Sequence, residues 1–429
     1  MQTLALLGGT AAFTRPLVPY NPYGEEEIMA ATEVIRSGCL SSFIGAWGEG
    51  FLGGPQVRGF EAEWAEFFGV KHAISVNSLT SGLICAVGAL DIEPGDEIIV
   101  SPWTMSASAT CILVWNAIPV FADINPDTFN LDFQSVVANI TPRTRAIIVP
   151  SIFGYGADLK ALQQVAKAQG IKIIEDAAQA PAVKYAGKWV GTWGDIGGFS
   201  LNYHKHIHTG EGGICVTDDD NLAERMRLIR NHAEAVVDKK GYESIHNMIG
   251  FNFRLGEIEA ALGRCQLKKL QAKVDQRFVL GCRLQKLLAG LKGLHTTPIE
   301  EGNTHAFYVF GMRLDVRALG VPRDKIYAAL VAEGVPGLSK QYVNVHRYAM
   351  YRKKIAYGKE HFPWRNGLYE SSVEYAKGIC PVAEQLQDQT YLGLHLCQYD
   401  FNLDDMEAIA QAFHKVWSKM DAIKQSLKQ

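Results

Sequence analysis

The side chains with the most chemistry to offer lie in Ser200-Leu-Asn-Tyr-His-Lys205-His-Ile-His-Thr-Gly210-Glu-Gly-Gly213, where one lysine follows an apolar run and precedes a glycine turn. An amine that is partly desolvated among polar neighbours loses its proton more readily and can condense with an aldehyde to a Schiff base. Lys205 is the candidate for that amine. Upstream, Ile171-Lys-Ile-Ile-Glu-Asp176-Ala-Ala-Gln179-Ala is a short isoleucine-rich run ending in a carboxylate. This is the pattern of a buried strand that delivers Asp176 at its C-terminal end, where ligands gather in open parallel sheets. A third stretch, Ala73-Ile-Ser-Val-Asn77-Ser-Leu-Thr80-Ser81-Gly82-Leu-Ile-Cys-Ala-Val, passes from a strand pattern through hydroxyl and glycine residues into a helical apolar pattern. Amides at that helix start, with the hydroxyls of Thr80 and Ser81 and a further one from Ser200, would form an anion site for a phosphate. An amine, a strand-end carboxylate and a phosphate site together describe a pocket for pyridoxal phosphate. In that cofactor an aspartate paired with the ring nitrogen keeps it protonated, so that carbanion charge can flow into the ring. Asp176 suits that role.

The elements that must hold these residues follow from periodicity. From about 70 to 230, strand-like runs at Glu97 to Val100, Arg145 to Val149 and Lys172 to Glu175 alternate with helical patterns such as Leu159 to Gln169. Such alternation predicts an α/β fold, a mostly parallel sheet covered by helices. Residues 1–50 read as an N-terminal arm with a Gly-rich loop. That Gly-rich segment, 45–55, is flexible by composition, precedes a first long helix at Gln56 to Phe68, and is expected to line the active site. Residues 51–275 read as a large cofactor-binding domain and 276–429 as a smaller C-terminal α/β domain. A long helical segment from Arg254 to about Leu291 links them, and an amphipathic helix from Asp404 to Lys424 closes the chain.

Composition narrows the class. The 429 residues are 48% hydrophobic and 20% charged, which suits a compact soluble enzyme with ample core. A formal net charge of −3 argues against a general nucleic-acid binder. Eight cysteines scattered through apolar contexts without CxxC spacing suit buried thiols in a reducing cytoplasm rather than a disulfide or zinc framework. The opening Met1-Gln-Thr-Leu-Ala-Leu-Leu has no basic lead, and no stretch approaches the apolar length of a membrane span, so a cytoplasmic protein without a membrane partner is expected.

Plainer readings stand beside these. An isolated lysine is usually a solvated surface charge; its frame of Ser200, the Gly210 turn and the Asp176 strand reverses that for Lys205. A lone strand-end aspartate is usually a cap or turn residue, and Thr80 and Ser81 could simply cap a helix. His204, His206 and His208 alternate as metal ligands could, yet no second ligand group with metal-like spacing is visible, so no metal is expected. Asn252 and Arg254 would also serve a structural turn. His346 is a candidate for touching substrate, and Asn139-Ile-Thr141 matches a glycosylation acceptor by chance.

Taken together these motifs resemble the DegT/DnrJ/StrS family of sugar aminotransferases. The resemblance runs from Glu25-Glu-Glu-Ile and Val57-Arg-Gly-Phe60-Glu61, through Pro94-Gly-Asp-Glu-Ile-Ile and Pro119-Val-Phe-Ala-Asp123-Ile, to Glu175-Asp-Ala-Ala-Gln179, Gly194-Asp195-Ile-Gly-Gly-Phe-Ser200, Gly210-Glu-Gly-Gly213 and Gly250-Phe-Asn252-Phe-Arg254-Leu. It implies the pyridoxal-phosphate-dependent transferase fold of type I, as in aspartate aminotransferase. It further implies that Lys205 carries the cofactor, Asp176 pairs with the ring nitrogen, Gln179 approaches the ring hydroxyl, and Thr80, Ser81 and Ser200 hold the phosphate. Asn252 would reach a cofactor phosphate in the neighbouring subunit, so a homodimer with shared active sites is implied. The chain departs from the family pattern at three places. Met105, in Pro102-Trp-Thr-Met105, stands where an aromatic ring would stack on the cofactor; its thioether can pack on a π face, or Trp103 takes over. Leu79 replaces a usual glycine, and Ser151 a frequent histidine. The activity implied is transfer of an amino group from glutamate or glutamine to a keto sugar, nucleotide-linked in the first reading and a free keto-cyclitol or related carbocycle in the alternative. Relatives that dehydrate sugars carry histidine in place of the lysine, and a non-catalytic regulator would have lost Lys205 or Asp176. Both residues are present.

Overall fold

The computed structural model describes residues 3–242, 245–365, 367 and 370–426. The first two residues of the expected arm and the last three of the expected C-terminal domain therefore lie outside the described residues. Seven strands form the central sheet: β1 (His72–Val76), β2 (Glu97–Val100), β3 (Ile118–Phe121), β4 (Thr144–Pro150), β5 (Lys172–Asp176), β8 (Ile196–Ser200) and β9 (Gly213–Thr217). A two-strand hairpin, β6 (Lys184–Tyr185) and β7 (Lys188–Trp189), lies between β5 and β8. The order across the sheet is β1-β9-β8-β5-β4-β2-β3. β9 runs antiparallel to both β1 and β8, and the other pairings are parallel.

Side-chain alternation explains why these runs are so apolar. Ile148 of β4 and Ile174 of β5 face one buried layer with Leu83 and Ile112. Ile147, Val149 and Ile173 face the other, with Phe60, Trp64 and Leu162. A sheet covered on both faces buries every residue, so its strands read as continuous hydrophobic runs. The expected helix at Gln56 to Phe68 starts one residue earlier, on Pro55, whose missing N–H costs nothing at a first helical position.

The long helix is Glu257–Leu288, shorter at both ends than the sequence pattern suggests; Gly256 is extended at its start, and Arg254 bonds to Asn252 outside it. Helix Glu25–Ser37 packs on this long helix. The buried carboxylate of Glu27 accepts from Gln266 at 2.7 Å and Lys269 at 2.6 Å, which fixes that part of the N-terminal segment.

A second sheet, all antiparallel, has the order β10 (Leu294–Thr296), β11 (Phe310–Leu314), β13 (Tyr391–Leu394), β12 (Leu338–Ser339). It shares a core with Leu280, Leu284, Ile409 and Phe413. The closing amphipathic segment is two helices rather than one, Leu403–Trp417 and Met420–Ser426, the first begun by a reciprocal Asn402–Asp405 capping box. Between β12 and β13 the chain leaves this layer. Val345, Tyr351, Trp364, Tyr375 and Cys380 pack into the first core, on the Ile148 and Ile174 face of the large sheet.

Candidate active site

β5 ends in two adjacent carboxylates that point to opposite faces. Glu175 accepts from the backbone N–H groups of Gly191 (2.7 Å), Trp193 (2.5 Å) and Gly194 (2.7 Å), and burial pushes its pKa up to about 6. Asp176 faces a cavity. Its Oδ2 accepts from Ser108 Oγ at 2.6 Å and its Oδ1 from Ala178 N at 3.2 Å, while burial raises its pKa.

The same cavity is lined by Lys205, Gln179, Ser200, Thr80 and Met105, so six of the eight predicted site residues converge. Lys205 lies on the loop between β8 and β9, which turns back at Gly210, where φ is 85° and glycine is required. Its Nζ stands 4.4 Å from the centroid of the Tyr308 ring. Burial draws its pKa down to about 8, against the opposing attraction of Asp176.

At the other end of the cavity helix Leu79–Ala89 begins. Ser78 caps it, its Oγ accepting from Ser81 N at 3.2 Å, and the first N–H groups of a helix have no partner within it. Ser78, Leu79 and Thr80 line the cavity; Ser81 does not. The Ser81 hydroxyl turns inward to Asn77 Oδ1 at 2.7 Å, one helical step away from the face that Thr80 presents. The hydroxyl that sequence reasoning missed is Ser78, and its signal was the serine placed just before an apolar helical run.

Gln179 is held at both ends: Oε1 accepts from Phe153 N at 2.7 Å and Nε2 donates to Tyr342 Oη at 3.0 Å. Phe153 sits at φ 59°, a strained position for a side-chain-bearing residue, and strain of this kind collects at functional sites. Met105 is largely exposed at the cavity mouth, with its Sδ accepting from Ala107 N at 3.1 Å. Trp103 does not take its place: it is buried among Phe129, Tyr342 and Tyr391, away from the cavity lining. Ser151 lines the cavity, and its buried Oγ has no hydrogen-bond partner among the described residues.

Asn252 is exposed, bridged to Asn231 and accepting from Arg254 Nε at 2.7 Å, and does not line the cavity of its own chain. His346 is fully buried against Glu384 at 3.0 Å, so it cannot touch a substrate from the cavity. The three alternating histidines diverge: His204 lines the cavity, His206 bonds Ala306 O at 2.8 Å, and His208 meets Tyr23 Oη at 3.1 Å. One cavity residue, Asn202, and one residue in contact with Lys205, Tyr308, had no signal in the local pattern. Asn202 donates through Nδ2 to both carboxylate oxygens of Glu211 at 2.9 Å, and Tyr308 arrives from a distant segment.

The donor set fits pyridoxal phosphate. A buried amine, a buried carboxylate on a strand end, and a helix start flanked by the Thr80 and Ser200 hydroxyls occupy one cavity, and Ser151 Oγ is a buried polar atom left for a ligand. The approach of β9 to the helix start also requires Gly213, where a Cβ would lie 2.5 Å from Leu79 N. Fold and site define a pyridoxal-phosphate-dependent aminotransferase of fold type I. The sequence pattern of the DegT/DnrJ/EryC1/StrS aminotransferase family matches residues 25–389, and the chain belongs to that family. It is 35% identical over 356 residues to the spore coat polysaccharide biosynthesis protein SpsC of Bacillus subtilis, covering 82% of this chain and 89% of that one. The crystal structure of DesI determined with its TDP-sugar product superposes with a TM-score of 0.79 at 27% identity over 99% of both chains. A GDP-4-keto-6-deoxymannose-3-dehydratase shares the fold at 22% identity and a TM-score of 0.76, over 93% of this chain and all of that one. The family is one of sugar aminotransferases. Among the described residues no helix is long and apolar enough to cross a membrane.

Proposed function

We propose that this aminotransferase moves an amino group from glutamate or glutamine to a nucleotide-linked keto sugar, with Lys205 as the catalytic base and acid. The observation that carries the reading is the single cavity in which the depressed Lys205 amine, the Asp176 carboxylate and a hydroxyl-lined helix start meet. Bound pyridoxal phosphate supplies a ring that accepts the electron pair left when an amine-bearing carbon loses its proton. A lysine with a pKa near 8 keeps enough neutral amine near pH 7 to take up that proton and enough affinity to return it, which is what a group serving both directions needs. Asp176 keeps a proton on the ring nitrogen. Thr80, Ser200, Ser78 and the helix amides bind the phosphate, while Gln179 and Met105 confine the ring. Asn252, exposed and outside its own cavity, is assigned to the phosphate of a second copy in a homodimer.

The similarity to DesI, which was crystallised with a TDP-sugar, supports the nucleotide-linked acceptor, and that to SpsC supports a role in polysaccharide formation. A free keto-cyclitol is the second acceptor class. A lysine at 205, where sugar-dehydrating relatives carry histidine, favours transamination over dehydration. Five buried thiols, Cys85, Cys111, Cys215, Cys380 and Cys397, and no disulfide among the described residues suit a cytoplasmic enzyme. The test is spectroscopic. Purified protein given pyridoxal phosphate should develop a visible band that glutamate or glutamine discharges and that a nucleotide keto sugar restores. Lys205→Ala should abolish the native band and reduce turnover by about 10²–10⁴-fold; a band surviving unchanged in that variant would remove Lys205 from the mechanism.

A further inference from the structure

The Lys205 amine meets an aromatic face. Its Nζ lies 4.4 Å from the Tyr308 ring centroid, inside the range in which a ring quadrupole attracts a cation. Tyr308 is fixed in that place from both sides: Ala306 N donates to Gly154 O at 2.8 Å and Val309 N to Phe153 O at 3.3 Å. The Lys205 loop is tied to the same segment, because His206 Nε2 donates to Ala306 O at 2.8 Å. A carbonyl only accepts, so this bond places the imidazole proton on Nε2. The ring of Tyr308 is bordered by those of His204 and His206, with centroids 6.1 and 6.2 Å away.

Resting on the reading of Lys205 as the catalytic amine, we infer that Tyr308 is a positioning residue whose ring face seats the Lys205 ammonium whenever the amine is free. A base that must also act as an acid needs a holding place for its charged form in a buried site, where an unpartnered ammonium is costly. A carboxylate at contact distance would keep the lysine permanently protonated. A ring face attracts the cation weakly and directionally, and releases it once the proton is gone. The other titratable groups facing Lys205 are Asp176, Cys397, His204 and His206. Burial holds both imidazoles neutral, with pKa values of about 4 for His204 and about 3 for His206, and it pushes the Cys397 thiol to about 11. Asp176 therefore supplies the attraction that Tyr308 supplements.

The test separates the ring's charge distribution from its bulk. Lys205 acylation in the cofactor-free, full-length protein is followed by peptide mass spectrometry across pH for the native chain, Tyr308→Phe and Tyr308→Leu. The same is done for chains carrying phenylalanine at 308 with increasing numbers of ring fluorines, which strip the quadrupole while keeping the shape. Removing the ring disfavours the ammonium, so the midpoint should move to lower pH by about one unit in Tyr308→Leu. It should fall stepwise with fluorination and stay at the native value in Tyr308→Phe. Identical midpoints across the fluorinated series overturn the inference, even if Tyr308→Leu proves unstable. Failure of the underlying reading shows elsewhere, as a visible band with added pyridoxal phosphate that persists in Lys205→Ala.

Discussion

Two regions of this protein bury titratable groups, and they differ in whether those groups face a cavity or one another. Beneath residues 342–386, His346 Nε2 donates to Glu384 Oε1 at 3.0 Å, the same oxygen accepts from Gly378 N at 2.7 Å, and Asp123 accepts from Val382 N at 2.8 Å and Ala383 N at 3.0 Å. These carboxylates are used up in holding a loop to the sheet. In the cavity at the end of β5, by contrast, Lys205 meets a ring face, Ser151 Oγ has no partner among the described residues, and a helix start faces open space. Burial and shifted protonation occur in both regions, and each keeps a buried polar atom unpaired among the described residues, His346 Nδ1 in one and Ser151 Oγ in the other; only at the end of β5 do a buried amine, a buried carboxylate and a helix start line one cavity. That distinction, more than the shift itself, separates a ligand site from a structural ion pair.

The comparison breaks most visibly at Asp176. Asp176→Asn keeps the shape and a bond to Ser108 but removes the charge facing the cavity. Transamination should fall by about 10²–10³-fold, with the thermal unfolding of the cofactor-free chain unharmed. A variant that instead unfolds early with normal turnover would move Asp176 into the class of Glu384. Lys205→Met sharpens the same point through stability. Burial lowers the Lys205 pKa from its ordinary 10.5 to about 8, a cost to the folded chain of about 3 kcal/mol while the lysine is charged. Between pH 8 and 10.5 the unfolded chain holds more protons on this residue than the folded one, so stability rises with pH across that window. Lys205→Met should therefore exceed the native cofactor-free chain in stability at pH 7, with the gap closing by about pH 10.5. Denaturant titrations at the two pH values decide it.

His346→Leu tests the opposite region. It removes the donor to Glu384 inside a sealed core, and the expected loss is about 1–3 kcal/mol of stability. Turnover per folded molecule and the visible band should stay near native, since His346 lies outside the cavity lining. A selective loss of activity without loss of stability would join the two regions that the geometry keeps apart.

What could be read from the chain follows the same division. Asp176, Thr80 and Ser200 each sit at a strand end or a helix start, and Lys205 on the short loop that joins β8 to β9, so each active residue and the element that holds it are written in one short stretch. Helix Leu159–Gln169 has the expected bounds because its apolar spacing, the Asp158 cap and Gly170 agree. Residues whose meaning depends on phase or on distant partners were not legible. Ser81 and Ser78 are chemically alike, and only the helix phase decides which faces the cavity. Trp103 and His346 are buried by the return of 342–386 and by Tyr391, contacts that no local periodicity encodes. Tyr308 reaches Lys205 only because the link into β11 is tied to Phe153, Gly154 and His206, residues far away in the chain.

The smallest expected effect bears on an unpaired buried hydroxyl of a cavity-lining residue. Ser151 sits just after β4, its N–H donating to Asp176 O at 3.0 Å and its Oγ buried with no partner among the described residues. An unsatisfied buried hydroxyl costs desolvation, so deleting it from the cofactor-free chain should be neutral or slightly stabilising. If the hydroxyl is instead completed by a bound cofactor or substrate, Ser151→Ala loses a hydrogen bond only in the complex, about 0.5–1.5 kcal/mol, which is a few-fold to ten-fold weaker binding. The dissociation constant for pyridoxal phosphate and the KM for the keto acceptor, measured beside the melting temperature, tell which ligand completes it. The two quantities should move in opposite senses, weaker binding with unchanged or higher stability. A loss of stability with affinity intact would place Ser151 with Glu384, among groups whose polar capacity is already committed to the fold.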